Sequence, residues 1–308
     1  MTNFASVPAD ATIPKNRCAV IGHPIAHSLS PLLHRRAYEL LGLADFQYDA
    51  FDVDENQLDD FIEHLEDENA RGARWVGLSV TAPNKQRLLT HGEPNHLAKQ
   101  LSAGNTLIFG SPNRVYNTDV TGMIAALGVR SIKRAQTAQL MGNGATARST
   151  LAALNELGVE QVQVNARSRE RAESSLAELA EGYGIELSYA DFDAPAAFDV
   201  DLLVNSVPVN LEVSDCERLL APAAAVFELT YNHYPSNLEN CGREADKKTL
   251  SGMDLLVYQA LDQIELMTGR RPDAEPLLEA GYAALKTDRS VEACSPRERE
   301  PKFFPIGY

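Results

Sequence analysis

Cysteine is scarce in this chain. There are four in 308 residues (Cys18, Cys216, Cys241 and Cys294), and none is spaced as a CxxC pair. That argues against a disulfide framework. Positive charge is also short: 28 Lys and Arg face 43 Asp and Glu, a formal charge of −15. Non-specific binding to nucleic acid or to an anionic membrane needs basic surface, so neither is expected. No apolar run is long enough to span a bilayer. No apolar stretch follows a basic start, so no signal peptide is expected and the protein reads as cytoplasmic. HExxH is absent. His23 and His27 lie four apart, but Pro24 between them denies them a shared regular helical face, so no metal site is expected.

What remains is an ordinary globular composition, 44% hydrophobic and 23% charged, long enough for two domains. Met1–Asn16 is polar and without period, and reads as a loose tail. Cys18–Gly22 is a short apolar run ending in glycine, the pattern of a buried strand. After the loop HPIAHSLSP, Ser30 and Pro31 suit a helix start, Ser as cap and Pro in the first turn, with Gly42 as the stop. Strands are predicted over Phe46–Val53, Trp75–Thr81 and Thr106–Phe109. An acidic amphipathic helix is predicted over Glu55–Glu68, and two short helical segments follow Pro83. This alternation implies a mainly parallel sheet with helix cover. A helix near Val120 leads to a second series. Strands are expected at Ala138–Met141, Gln161–Asn165, Ile185–Tyr189, Asp201–Asn205 and Ala225–Leu229. Helices are expected at Thr146–Leu157 and Arg169–Glu181. That is a doubly wound α/β pattern. Two helices, Asp254–Met267 and Ala274–Leu285, precede a charged, aperiodic segment, 287–308.

Gly142, Gly144 and Ala147 form G-x-G-x-x-A between a predicted strand and a predicted helix. The first glycine permits the tight turn and the second lets backbone approach a pyrophosphate. The small third residue lets the helix pack close to the strand. The end of the next strand separates NAD from NADP. An acidic residue there would hold a ribose 2′-hydroxyl, but the chain reads Asn165-Ala166-Arg167-Ser168-Arg169-Glu170-Arg171. Arg167 and Arg171 can pair with a 2′-phosphate and Ser168 can donate to it, which points to NADP(H).

Reducing a ketone by hydride transfer needs a proton donor at its oxygen, and a lysine can serve. Lys85 follows a buried-looking strand and Pro83, at the end where open α/β sheets bind ligands. Asp119 stands at a predicted helix N-terminus, where the dipole stabilises negative charge. By spacing alone both could be surface residues.

The wider pattern resembles the shikimate dehydrogenase family. The likeness runs from about Arg17 to Leu285. It is carried by GHPIAHSLSPLLH (Gly22–His34), VTAPNK (Val80–Lys85), SAGNT (Ser102–Thr106), YNTDVTG (Tyr116–Gly122), GNGATAR (Gly142–Arg148), NARSRERA (Asn165–Ala172), DLLVNSVP (Asp201–Pro208), ELTYN (Glu228–Asn232) and SGMDLLVYQA (Ser251–Ala260). The resemblance implies reduction of 3-dehydroshikimate to shikimate with NADPH, on the route to chorismate and the aromatic amino acids. It makes Lys85 the catalytic lysine, paired to Asp119. Ser28, Ser30 and Tyr231 would hold the substrate carboxylate. Thr81 would bind substrate, Asn105 and Asp119 would contact ring hydroxyls, and Gln259 would reach in from the helix after the nucleotide domain. Cofactor contacts would fall on Gly142, Asn143, Gly144, Ala145, Thr146, Ala147, Arg148, Ala166, Arg167, Ser168, Arg171, Ser206, Val207, Pro208, Leu229 and Gly252. The domains implied are 17–120 with 253–286 for substrate and 121–252 for a Rossmann-like NADP domain. The assembly expected is a monomer or a homodimer. Departures from the family pattern stand at Ser79, Gly104, Val120, Asn143, Ala145, Thr146 and Asp254. A quinate or quinate/shikimate dehydrogenase using NAD, a paralogue acting on an amino-substituted ring, and a noncatalytic sensor are the competing readings.

Overall fold

The computed structural model describes residues 16–287. The two expected tails lie outside them, except that Asn16 already belongs to a strand and Thr287 caps the last helix. The first of two six-stranded sheets contains β1 (Asn16–Gly22), β2 (Phe46–Asp52), β3 (Trp75–Val80), β4 (Glu93–Pro94), β5 (Thr106–Ile108) and β6 (Arg114–Tyr116). Their spatial order is β2-β1-β3-β5-β6-β4. Only β5 runs against its neighbours; β1 pairs parallel with β2 and β3, and β4 parallel with β6. Its helices are α1 (Ser30–Leu41), α2 (Leu58–Ala70) and α3 (His96–Leu101), with a 3₁₀ turn at Arg87–His91. Cys18–Gly22 of β1 is buried throughout, as a central parallel strand covered on both faces must be.

Helix α4 (Asp119–Val129) leads to the second sheet: β7 (Thr137–Met141), β8 (Gln161–Asn165), β9 (Glu186–Ala190), β10 (Val200–Asn205), β11 (Ala223–Glu228) and β12 (Lys248–Leu250). Their order is β12-β11-β10-β7-β8-β9, parallel at every pairing, which is the doubly wound arrangement. Helices α5 (Ala145–Glu156), α6 (Arg169–Tyr183), α7 (Val213–Leu220) and α8 (Asn237–Glu244) cover it. Then α9 (Gly252–Thr268) and α10 (Glu275–Lys286) return to the first sheet, where Val257, Ala260, Ile264 and Leu277 pack on Leu33 and Ala37 of α1.

Three local readings of the sequence are corrected here. Ser30 is the first helical residue of α1 and not its cap; Leu29 precedes the helix, and the Ser30 N–H instead donates to Ser28 Oγ at 3.3 Å. Helix α2 starts at Leu58, later than Glu55, because Asp54 Oδ1 captures the N–H groups of Asn56 and Gln57 in a side-chain turn. Strands β4, β6 and β12 and helices α7 and α8 were not anticipated; strands of two or three residues are too short to show a period.

Each sheet has one topological switch point, where successive connections leave in opposite directions and a crevice opens at the strand ends. In the first sheet it lies between β1 and β3, in the second between β7 and β10. Helices α4 and α9 cross between the sheets. At the crossing, a Cβ on Gly122 would lie 2.6 Å from the backbone nitrogen of Gln259, so only glycine allows this approach.

Candidate active site

The loops after β1 and β3 meet at the first switch point. Thr81 N–H donates to Ile21 O at 2.9 Å and His23 N–H to Ala82 O at 3.0 Å, which ties the serine loop to the segment carrying Lys85. Asn84 is fully buried and donates to Val53 O at 2.8 Å, fixing the turn just before Lys85. The Lys85 carbonyl accepts Gly104 N–H at 2.8 Å. The lysine side chain therefore leaves a backbone held on both sides.

Lys85 Nζ donates to Asp119 Oδ2 at 2.6 Å, with side-chain exposures of 13% and 7%. The pair is mostly shielded from water, unlike the surface pair that spacing alone would have permitted. The other oxygen, Asp119 Oδ1, accepts Asn105 Nδ2 at 2.8 Å. Asp119 opens α4, and its N–H donates to Asn117 Oδ1 at 3.0 Å. Asn105 is the hub: its Nδ2 also faces Thr118 Oγ1 at 2.9 Å and Gln259 Oε1 at 3.3 Å, and its Oδ1 accepts Thr118 N–H at 2.9 Å. Gln259 comes from α9, far along the chain, and its own Nε2 donates to Leu256 O. Lys85, Asp119, Asn105 and Gln259 thus form one continuous polar group.

Ser28 sits on the serine loop, half-buried, and Ser30 opens α1 just after it, buried. Tyr231, half-buried, packs on the apolar cluster that also holds Leu29, the residue between the two serines. Thr81 is half-buried beside Gly22; a Cβ on that glycine would come 2.8 Å from Ala82 O.

Sequence inspection missed Gln263, which holds the hub from behind. Its Nε2 donates to Asn105 O and Thr106 Oγ1, both at 3.0 Å, and its Oε1 accepts Ser79 Oγ at 2.8 Å. The available signal was its position four residues after Gln259, on the same helical face. Another missed tie is Asn117 Nδ2 to Ser149 Oγ at 3.2 Å, which joins the start of α4 to α5.

At the second switch point, Gly142 has φ +105 and a Cβ there would strike Ser206 Oγ. Ser206 donates to Met141 O at 2.6 Å, so glycine turn and Ser206–Pro208 loop are joined. Ser175 donates to Asn143 O at 2.8 Å and holds the turn from α6. A Cβ on Gly144 would meet nothing within 4 Å, and no side chain caps α5. Gly144 is exposed and the first N–H groups of α5 have no side-chain cap, an arrangement that fits a pyrophosphate.

At the end of β8, Ser168 Oγ caps α6 by accepting Arg171 N–H. Arg169 lies over the Tyr189 ring, 5.4 Å from its centre, so stacking occupies that arginine. Arg167 and Arg171 are exposed, beside half-buried Ala166 and Ser168. A cavity of about 600 Å³ is lined by Ser168, Arg171, Arg148, Ser175, Gln86 and Ser102, among others. It borders the glycine turn and contains none of the Lys85 group. The Arg148 side chain is committed elsewhere: Nε donates to Leu101 O at 2.8 Å and another nitrogen donates to Ser175 O. Leu229 is buried at the end of β11. Gly252 abuts it, since a Cβ there would lie 2.7 Å from Leu229 O. Among the described residues, no three His, Cys, Asp or Glu side chains gather to hold a metal ion, and no helix is long and apolar enough to cross a membrane.

Two family profiles match the chain: the shikimate dehydrogenase substrate binding domain at residues 20–107, and the shikimate 5'-dehydrogenase C-terminal domain at residues 252–280. The NADP(+) shikimate dehydrogenase of Natronomonas pharaonis is 34% identical over 269 residues, covering 86% of this chain and 98% of the relative. The chain belongs to the shikimate dehydrogenase family. Solved members share its fold. The shikimate dehydrogenase of Mycobacterium tuberculosis superposes with a TM-score of 0.76 at 31% identity, covering 87% of this chain and 99% of its own. The shikimate 5-dehydrogenase of Thermus thermophilus, solved with NADP(H) and shikimate, gives 0.74 at 29% identity, covering 87% and 99%.

Three departures from the shikimate dehydrogenase pattern have local physical reasons. Ser79 accepts Tyr48 O–H at 2.6 Å and donates to Gln263, so a buried chain of hydroxyls fills its site. At Gly104 a Cβ would collide with Val115, whose side chain takes that space. Asp254 forms a capping box with Ser251 at the start of α9, accepting Ser251 N–H at 2.8 Å. Val120 is buried in the second-sheet core.

Proposed function

We infer that the protein is an NADP-dependent shikimate dehydrogenase that reversibly reduces 3-dehydroshikimate to shikimate, and so serves chorismate and aromatic amino acid biosynthesis. The observation that carries this reading is the Lys85–Asp119–Asn105 group, shielded at one switch point while a bare glycine turn stands at the other.

A dinucleotide held at the second switch point would supply a hydride to the ring carbonyl carbon. Lys85 Nζ supplies the proton to the carbonyl oxygen, and takes it back from the hydroxyl in the reverse direction. Asp119 holds the ammonium in place and, with Asn105 and Gln259, offers acceptors and donors suited to ring hydroxyls. Thr81 completes that wall. Ser28, Ser30 and Tyr231 offer hydroxyl donors for the carboxylate. Residues 17–120 with 253–286 act as the substrate domain and 121–252 as the NADP domain. Arg167, Ser168 and Arg171 take the 2′-phosphate. The remaining cofactor contacts come from Gly142–Arg148 (Arg148 through its backbone), Ala166, Ser206, Val207, Pro208, Leu229 and Gly252. We place the enzyme in the cytoplasm, as a monomer or homodimer.

A rate panel of NADP⁺ and NAD⁺ against shikimate and quinate, read at the reduced-nicotinamide absorbance, tests the reading. NADP⁺ with shikimate is expected to be fastest. Dominant use of NAD⁺ with quinate would replace it, and no turnover with either cofactor would favour a sensor. Changing Arg167 and Arg171 together to Ala is expected to raise the KM for NADP⁺ by roughly 10²- to 10⁴-fold, since each charge-assisted contact is worth about 1.5–3 kcal/mol. The NAD⁺ rate should change little, because NAD⁺ carries no 2′-phosphate.

A further inference from the structure

Glu228 is a deeply buried carboxylate that this reaction leaves without a task. It ends β11 and is 1% exposed. Its Oε2 accepts Asn205 Nδ2 at 2.8 Å. Its Oε1 accepts the Thr230 N–H at 3.0 Å and the Thr230 hydroxyl at 2.8 Å. One side chain therefore clamps two loops. The first follows β10 and carries Ser206, Val207 and Pro208. The second follows β11 and carries Leu229 and Tyr231. That second loop lies hard against the start of α9, where a Cβ on Gly252 would come 2.6 Å from the Thr230 carbonyl carbon. Helix α9 in turn carries Gln259.

Every bond of the clamp uses Glu228 as the acceptor. Asn205 is fixed in orientation, since its Oδ1 accepts Val207 N–H at 3.0 Å and its Nδ2 donates to Val207 O at 3.2 Å. A proton on Oε2 would face the Asn205 amide hydrogens. Turning that amide over would break both Val207 bonds. A proton on Oε1 would turn the Thr230 hydroxyl from donor to acceptor and leave the Thr230 N–H, which cannot turn, on a poorer acceptor. A donor facing a donor at Oε2, buried away from water, costs about 1–3 kcal/mol.

We propose that Glu228 is a positioning residue whose ionised carboxylate holds the cofactor loop and the Tyr231 loop in register, and whose protonation releases them. The proposal rests on the functional reading above. Its setting makes the switch accessible. Burial pushes the carboxyl up to about 7, against the pull of Asn205 and Thr230. Glu239 of α8, itself bonded to Arg243 at 3.3 Å, adds negative charge from that side. Cys216 of α7 also faces Glu228, and burial pushes its thiol up to about 12, so it carries no charge near neutrality.

Stability and binding then respond to pH with opposite sign at this residue. A carboxyl raised from 4.5 to about 7 by folding stabilises the folded chain below about pH 4.5, and that contribution is lost as pH rises through about 7. Acidification from pH 8 to 6 thus favours the folded state at Glu228 while it opens the clamp. Weakened binding over that window is therefore not incipient unfolding.

Calorimetric binding of NADP⁺ to the full chain, from pH 5.5 to 8.5, tests this. Adenosine 2′,5′-bisphosphate serves as reference, because it carries the titrating 2′-phosphate but does not reach the clamped loops. Between pH 8 and 6 the wild-type Kd for NADP⁺ is expected to weaken about five- to tenfold more than that of the reference. Glu228→Gln should weaken NADP⁺ binding at pH 8 and abolish the extra pH dependence. Because Gln at a buried clamp can misfold, Thr230→Val provides a second arm. Losing one donor to Oε1 should move the binding transition to higher pH. Parallel curves for NADP⁺ and the bisphosphate in the wild type, an unchanged slope in Glu228→Gln, or an unshifted transition in Thr230→Val would each overturn the proposal. A wild type that neither binds NADP⁺ nor oxidises shikimate at pH 8 would instead overturn the functional reading.

Discussion

Replacing Lys85 by Met is expected to lower turnover by roughly 10²- to 10⁴-fold, the usual contribution of a positioned proton donor. Substrate affinity should change by less than about tenfold. On the proposed reading the carboxylate and ring contacts lie on Ser28, Ser30, Tyr231, Asn105 and Gln259, and these keep their places without the ammonium. Methionine preserves most of the apolar stem and removes only the charge and the donors. Arginine would not substitute, because a guanidinium holds its proton throughout the working range. The change also leaves Asp119, 5% exposed, with Asn105 but without its cation. Removing one partner of a buried ion pair typically costs about 3–5 kcal/mol, and the partial exposure of Lys85 makes that an upper bound here. Thermal melting should therefore show a loss of stability, and rates must be normalised to folded protein. Single-turnover absorbance and equilibrium binding of shikimate separate the two effects. Turnover within a few-fold of wild type would remove Lys85 from the chemistry.

The second large effect is expected far from any reacting atom. Gly122→Val puts two methyl groups beyond a Cβ that already lies 2.6–2.7 Å from the Gln259 nitrogen, Cα and Cβ. Helices α4 and α9 must separate. Overpacking of this kind typically costs about 1–3 kcal/mol. The separation also carries Gln259 away from Asn105 and Thr118, and α4 begins with Asp119 itself. A displacement of about 1 Å in such a group can cost about 10²-fold in rate. We expect kcat/KM for shikimate to fall by roughly 10- to 100-fold, with a lowered Tm. NADP⁺ binding should be nearly spared, since the glycine turn belongs to the other crevice. Gly122→Ala should lie between the two. Wild-type kinetics in both variants would show that this crossing does not set the geometry of the site.

Much of this architecture was legible in the residues. The glycine turn announced itself because strand, turn and helix are contiguous, and the arginines after β8 follow within a few residues. The long strands and helices showed their periods. Short elements did not: Lys248–Leu250 and Arg114–Tyr116 are three residues each, and their strand character comes only from the neighbours they pair with. The Lys85–Asp119 pair was visible as two chemically apt residues, but its closure depends on a sheet that places positions 34 apart side by side. Spacing alone left both on the surface. Gln259 was found by resemblance, while Gln263 and Glu228 were not. Their partners are backbone groups and side chains on other elements, and a single sequence carries no mark of that. The choice of Arg167 and Arg171 over Arg169 gained a physical reason only when Tyr189 was seen beneath the latter.

The return of α9 and α10 to the first sheet has a consequence for how the chain is made. All strands of the second sheet lie within one uninterrupted stretch, from Thr137 to Leu250. On the ribosome that stretch is complete while Leu33 and Ala37 of α1 still lack Val257 and Leu277 to cover them. Domains generally fold as units during synthesis, and contacts distant in sequence form late. The half that emerges first is therefore the half that finishes last, and its apolar α1 face stays open to other chains until the final helices arrive.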